Sequence, residues 1–297
     1  MSTAATFFTL PNVIAALLVL VPYLLVAFSP EGAVRSIHRL PQWAQLCMPA
    51  FLSIPYAIVA CAGGIFQWAW FALYAGLPIL IAALLHQAAQ VDTAQLGNWR
   101  DFLILAVLGV AVDLRWFEGA WPAHLAVFNK IILLNAGIYG FVLIRQLDGA
   151  GFDLRLRVAD LGIGLREAAF YTPIALAAGL WLGFLHIHRE WPGVAMIAGA
   201  WTFTFFFIAV PEELFFRGWL QNLLELRIGR TWALFVTASL FGLAHFNKRA
   251  VHFNWRYVLL AAAAGIFYGR AWRHNRRVGA SAVTHATVDS IWSLWFR

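Results

Sequence analysis

Charge is what this sequence has least of. Only 12% of its 297 residues are Asp, Glu, Lys or Arg, against roughly 25% in an ordinary soluble chain. With 62% of the residues hydrophobic, a soluble globular domain is excluded. Cysteine is almost missing too. Cys47 and Cys61 are the two present. Both lie in apolar runs, make no metal-ligand spacing and supply no disulfide framework. No basic segment precedes the first apolar run, so that run reads as a retained helix and not as a cleaved signal. No internal repeat and no low-complexity linker divides the chain. The formal charge of +7 is carried largely by short loops between apolar runs, where basic residues set membrane orientation. A nucleic-acid partner is therefore not expected, and a lipid bilayer is.

What is present is apolar length. Runs over 12–28, 44–62, 65–85, 125–144 and 168–187, with four more helices downstream, predict an all-α polytopic membrane bundle. About eight transmembrane helices are expected, given roughly 20 apolar residues per crossing. The run over 102–112 is short and reads as a tilted or partial span. The fifteen Trp and twenty-five Phe suit lipid-facing surfaces and interfacial belts.

Against that background one stretch stands out, Ala209-Val-Pro-Glu-Glu-Leu-Phe-Phe-Arg-Gly218. It follows a charge-free apolar run, and an ionisable residue at such a depth is a functional-site candidate by default. Pro211 suits the first turn of a helix, where its missing N–H costs nothing. That puts Glu212 and Glu213 near the positive end of the helix dipole. Glu213 and Arg217 are four residues apart with the acid first, the favourable order for a pair on one face. Glu212 points about 100° away and has no cation on its own helix face. One carboxylate is thus structural, and the other suits a general base.

Two further polar clusters lie on apolar helices. Phe241 and His245 share a face in Ser239-Leu-Phe-Gly-Leu-Ala-His245, and His285 and Asp289 share one in Ser281-Ala-Val-Thr-His-Ala-Thr-Val-Asp289. Each alone reads as a buried hydrogen bond or a packing residue. Together, Glu212, His245 and His285/Asp289 come from three helices that can bring polar groups together only in a bundle interior. A carboxylate and a histidine sharing a water can deprotonate it, and a second histidine can donate to a developing oxyanion. That set suffices for peptide-bond hydrolysis inside a membrane.

These residues carry a resemblance. Glu212-Glu213-Leu-Phe-Phe-Arg217 resembles the Glu-Glu-x-x-x-Arg motif of the CAAX prenyl endopeptidase and bacteriocin-processing (Abi, CPBP) family of intramembrane proteases. Phe241-Gly-Leu-Ala-His245 resembles its Phe-x-x-x-His motif, and His285-Ala-Thr-Val-Asp289 its His-x-x-x-Asn/Asp motif. The resemblance covers about residues 168–297, in one integral membrane domain whose first 167 residues carry no recognised motif. It implies a multi-pass protease, in the inner or plasma membrane of a cell, acting on a membrane-associated or lipidated protein or peptide. It implies Glu212 as the base, His245 as its partner, His285 and Asp289 at the oxyanion, and Glu213, Arg217 and Phe241 in support. Asp289 stands where prenyl-processing members often have Asn, which leaves it three readings: protonated, holding His285, or binding a metal. A Zn²⁺ on Glu212, His245 and His285 is one reading the resemblance leaves open; a metal-free, glutamate-activated water is the other.

Rival chemistries lack their residues. There is no His-Glu-x-x-His for a zinc site-2 type and no Gly-x-Gly-Asp for an aspartyl type. Gly279-Ala-Ser-Ala282 resembles the rhomboid Gly-x-Ser-Gly but ends in Ala, and its nearest histidine, His285, is on the same helix. A non-catalytic scaffold or immunity protein would use the same cluster for binding. A proton-coupled transporter would show polar clusters in both halves, whereas here they are confined to the C-terminal one.

Overall fold

The computed structural model describes residues 9–187, 191–248 and 252–296. The chain forms two compact units, Met1–Leu147 and Asp148–Arg297. Helix dominates both, and the described residues contain no strand beyond one isolated bridge between Ile187 and Phe296. Among the described residues, five segments are long and apolar enough to cross a membrane: Leu10–Phe28, Gln42–Ala62, Trp68–Val91, Ala123–Ile144 and Val194–Leu243. The last is 50 residues long, far more than the roughly 20 one crossing needs. It is broken at Gly229, whose φ of 77° and ψ of 163° leave the helical region.

In the first unit, α1 (Leu10–Phe28), α2 (Pro30–His38), α3 (Gln42–Cys47) and α4 (Ile54–Ala62) precede the long α5 (Trp68–Val91). Then come α6 (Trp99–Asp113) and α7 (Val127–Ile138), which continues as a π-helical turn, Tyr139–Ile144. The short 102–112 run forms most of α6. At 15 residues this helix is about 22 Å long, less than the hydrocarbon thickness. Its start is capped by Asn98, which accepts from the Arg100 amide at 2.9 Å, while Asp101 accepts from the Asn98 amide at 2.8 Å. Arg145 then ties three segments together, reaching Asp92 at 2.6 Å and Asp101 at 3.1 Å.

The second unit holds every motif residue. Its helices are α8 (Val158–Trp181), α9 (Val194–Thr204), α10 (Val210–Glu213), α11 (Asn222–Leu243), α12 (Trp255–Asn275) and α13 (Val278–Trp295). α13 is central. Every residue from Val278 to Ala286 is buried, as expected of a helix with neighbours on all sides. Small side chains allow that approach: a Cβ on Gly164 of α8 would stand 2.6 Å from the Val283 side chain.

The basic turn between α12 and α13 is not a free loop. Arg273 and Arg276 (2.7 Å) both pair with Glu225. Arg277 reaches Asp160 at 3.0 Å and Asp153 at 3.1 Å, and Asn275 donates to Asp160 at 2.6 Å. Burial alone would raise the Asp153 carboxyl, but hydrogen bonds from Arg155 and Arg277 outweigh it and hold the pKa at about 2. What Asp153 adds to stability is therefore present above the ordinary carboxylate pKa and fades as pH falls toward 2. Gly151 closes this end of the unit. Its φ is +69°, its carbonyl accepts from the Val278 amide at 2.9 Å, and a Cβ would collide with the Arg276 carbonyl oxygen. Gly151→Ala should lower the unfolding midpoint of the lipid-reconstituted protein, by more than the ~1–2 kcal/mol of a left-handed non-glycine residue, since the collision adds to it.

Candidate active site

The site is built on one continuous helical path. α9 runs through a π-helical stretch, Phe205–Ala209, into α10, and a second π-helical stretch, Leu214–Gln221, leads on to α11. Here the sequence expectation is corrected. Pro211 does not open a helix, because Ala209 before it is already helical at φ −65° and ψ −52°. Proline inside a helix removes one hydrogen bond and crowds the preceding turn. The widened i→i+5 turns on either side relieve that crowding, and such bulges recur at functional sites. Glu212 and Glu213 thus have no free helix N-terminus beside them, and their charge is met by side chains instead.

Those side chains come from α13 and the second π-helical stretch. Glu213 and Arg217 are both fully buried and pair at 3.1 Å between Oε2 and Nε. They meet as charges without the alignment of a hydrogen bond. The guanidinium also lies 5.0 Å from the Phe241 ring and 5.8 Å from Phe216, within cation–π range. The other Glu213 oxygen, Oε1, is 2.9 Å from His285 Nδ1. His285 Nε2 faces Asp289 Oδ2 at 3.4 Å and Glu212 Oε2 at 3.9 Å. One buried imidazole therefore has three carboxylates around it. Both its nitrogens face acceptors, an arrangement that matches the two donors of an imidazolium. Glu212 and Asp289 are partly exposed, at 28% and 30% of their side chains, while Glu213 is sealed.

His245 lies just beyond the end of α11. Its Nδ1 is 2.8 Å from the Phe241 carbonyl oxygen, and its ring packs edge-on against Tyr257 at 4.8 Å. A donor at Nδ1 leaves Nε2 for other work. His245, His285 and Asp289 line one cavity of about 70 Å³, with Tyr171, Tyr257 and Trp292 among its apolar walls. Phe241 joins the two histidines, lying 4.9 Å from the ring of His245 and 5.7 Å from that of His285. Glu212, Glu213, Arg217, His285 and Asp289 thus form one polar cluster, which Phe241 connects to His245.

Among the described residues, no three His, Cys, Asp or Glu side chains are gathered as a metal ion requires. The Nδ1 atoms of His245 and His285 face the Phe241 carbonyl oxygen and Glu213. Two site neighbours escape sequence reasoning. Lys248 brings Nζ to 4.0 Å from Glu212, and Tyr268 stacks on His285 at 4.6 Å. Neither has a motif, although Lys248 lies three residues past His245.

Ser281 bears on the serine alternative. Its hydroxyl is buried and donates to the Val278 carbonyl at 3.1 Å, within its own helix. Ser281→Ala should therefore leave hydrolytic turnover at the wild-type level, as read in a peptide-cleavage assay in lipid.

Apolar helices of spanning length mark a multi-pass membrane protein, and its second unit holds a buried histidine ringed by carboxylates. Residues 195–291 match the family model described as Rce1-like: Type II CAAX prenyl endopeptidase Rce1-like. That stretch contains all three motifs, and over it the chain is similar to the CAAX prenyl endopeptidases. No curated protein and no solved structure matches the chain.

Proposed function

We propose that this protein is an intramembrane endopeptidase that hydrolyses a peptide bond of a membrane-associated or lipidated protein or peptide, within the plasma or inner membrane of a cell. The observation that carries the reading is His285, held by Glu213 at 2.9 Å with Glu212 and Asp289 at its other nitrogen. Glu212, partly exposed, takes a proton from water as the oxygen attacks the scissile carbonyl carbon. With Nδ1 donating to the Phe241 carbonyl, His245 Nε2 accepts a hydrogen bond from the same water. The carbonyl oxygen becomes an oxyanion, and the His285 Nε2 proton, held by Asp289 before the attack, turns to it. Glu212 returns its proton to the amide nitrogen as the C–N bond breaks, leaving a carboxylic acid and an amine. Glu213, neutralised by Arg217, keeps the His285 ring oriented, and Asp289 holds its second nitrogen. No step here is routed through a metal. The apolar walls at Tyr171, Tyr257, Leu260 and Trp292 favour an apolar substrate segment delivered from the bilayer.

The test compares new protein termini by mass spectrometry in cells expressing wild type or Glu212→Gln at matched membrane levels. Termini lost in the variant support the proposal and name the substrate. Identical terminal profiles sink it and favour a binding or scaffolding role for the cluster.

A further inference from the structure

Tyr268 belongs to none of the three motifs, yet it is laid flat on His285. Their ring centroids are 4.6 Å apart with planes only 16° from parallel. Phe241 meets His285 edge-on at 5.7 Å and 87°, and meets Tyr268 at 5.7 Å and 77°. Tyr268 is 1% exposed, is backed by Tyr171 at 6.5 Å and 78°, and lies 5.9 Å from the Arg217 guanidinium. Its contact with His285 is made by the ring.

The backbone holds the ring there. Gly265 and Gly269 bracket Tyr268 on α12, and a Cβ on Gly265 would stand 3.0 Å from the Ala238 Cα of α11. A Cβ on Gly269 would run into Leu234. The two glycines let α12 press against α11 and bring Tyr268 under the imidazole. Hydrogen bonds at Nδ1 and Nε2 act in the plane of His285. The imidazole χ2 torsion is intrinsically broad, and rotation about it is resisted by whatever covers the ring faces.

We propose that Tyr268 is a positioning residue for His285: its ring face, and not its hydroxyl, holds the imidazole in the plane from which Nδ1 meets Glu213 and Nε2 meets Asp289 and Glu212. The inference rests on the endopeptidase reading for its kinetic consequence, but not for its geometry. Displacement of a reacting group by about an ångström can cost 10²-fold in rate, so losing the ring face is expected to lower kcat by roughly 10- to 100-fold with little change in KM.

The experiment uses the full chain in phosphatidylcholine–phosphatidylglycerol nanodiscs. Imidazole ¹⁵N spectra are recorded for wild type, Tyr268→Phe and Tyr268→Leu, with His285 assigned from its missing signals in His285→Gln. Turnover is measured on a peptide spanning a cleavage site lost in Glu212→Gln membranes. Tyr268→Phe should keep the His285 shifts and kcat of wild type, whereas Tyr268→Leu should shift or broaden the His285 signals and lose kcat. Tyr268→Met, which fills the volume without a flat face, replaces the Leu variant if that does not fold. Unchanged His285 signals in Tyr268→Leu would overturn the proposal, as would a Phe variant as impaired as the Leu one. If Glu212→Gln removes no termini, the protease reading falls, and the ¹⁵N spectra still decide whether Tyr268 holds His285.

Discussion

Purified and reconstituted in lipid, Glu212→Gln is expected to keep its fold and lose turnover by about 10²–10⁴-fold, the usual contribution of a positioned general base. Gln preserves the shape and hydrogen-bonding reach of the side chain but cannot take a proton from water. Stability should hold because no buried charge is stranded. Glu212 is 28% exposed, Lys248 opposite it is 35% exposed, and His285 retains Glu213 and Asp289. The measurement is steady-state kinetics beside a thermal unfolding midpoint. A variant with wild-type kcat would remove Glu212 from the chemistry. A variant with a collapsed midpoint would mean that its role is structural.

The largest expected effect on stability belongs to Arg217. Arg217→Met leaves the Glu213 carboxylate fully buried with its guanidinium gone. Breaking one side of a buried ion pair costs roughly 3–5 kcal/mol, because the surviving charge is uncompensated. The unfolding midpoint should fall sharply and turnover with it. Adding Glu213→Gln to Arg217→Met removes the stranded charge and should recover much of the stability. The double variant should remain inactive, since His285 Nδ1 then faces an amide where it had a carboxylate at 2.9 Å. That split between recovered folding and lost activity is what separates a positioning role from plain packing. If Arg217→Met unfolds at the wild-type temperature, the pair does not hold the site.

Much of the fold was readable because a bilayer allows few answers. A run of apolar residues of spanning length must satisfy its own backbone, and a helix does so within the segment. The runs over 12–28 and 125–144 accordingly appear in Leu10–Phe28 and Ala123–Ile144. The Glu213–Arg217 pair was equally legible, since four-residue spacing is local geometry and survives even where the helix widens into π turns. Pro211 was misread because proline favours a first helical turn, while nothing in the letters announces the π-helical turns that accommodate it in mid-helix. The acidic partners of the basic turn, Glu225, Asp153 and Asp160, were invisible for another reason. Each lies far along the chain from Arg273, Arg276 and Arg277, and no spacing rule joins them.

The sequence by itself determined that this is an all-α membrane protein with ionisable residues on three apolar helices, because the cost of charge in an apolar run makes such residues conspicuous. Only the tertiary structure decided which of them meet. That His285 takes Glu213 at one nitrogen and Asp289 with Glu212 at the other depends on how α13 lies against α10. That a motif-free tyrosine covers its face depends on two glycines letting α12 close on α11. Contacts within a helix follow from 3.6 residues per turn. Contacts between helices follow from how their surfaces pack, and that is settled only when the whole bundle is assembled.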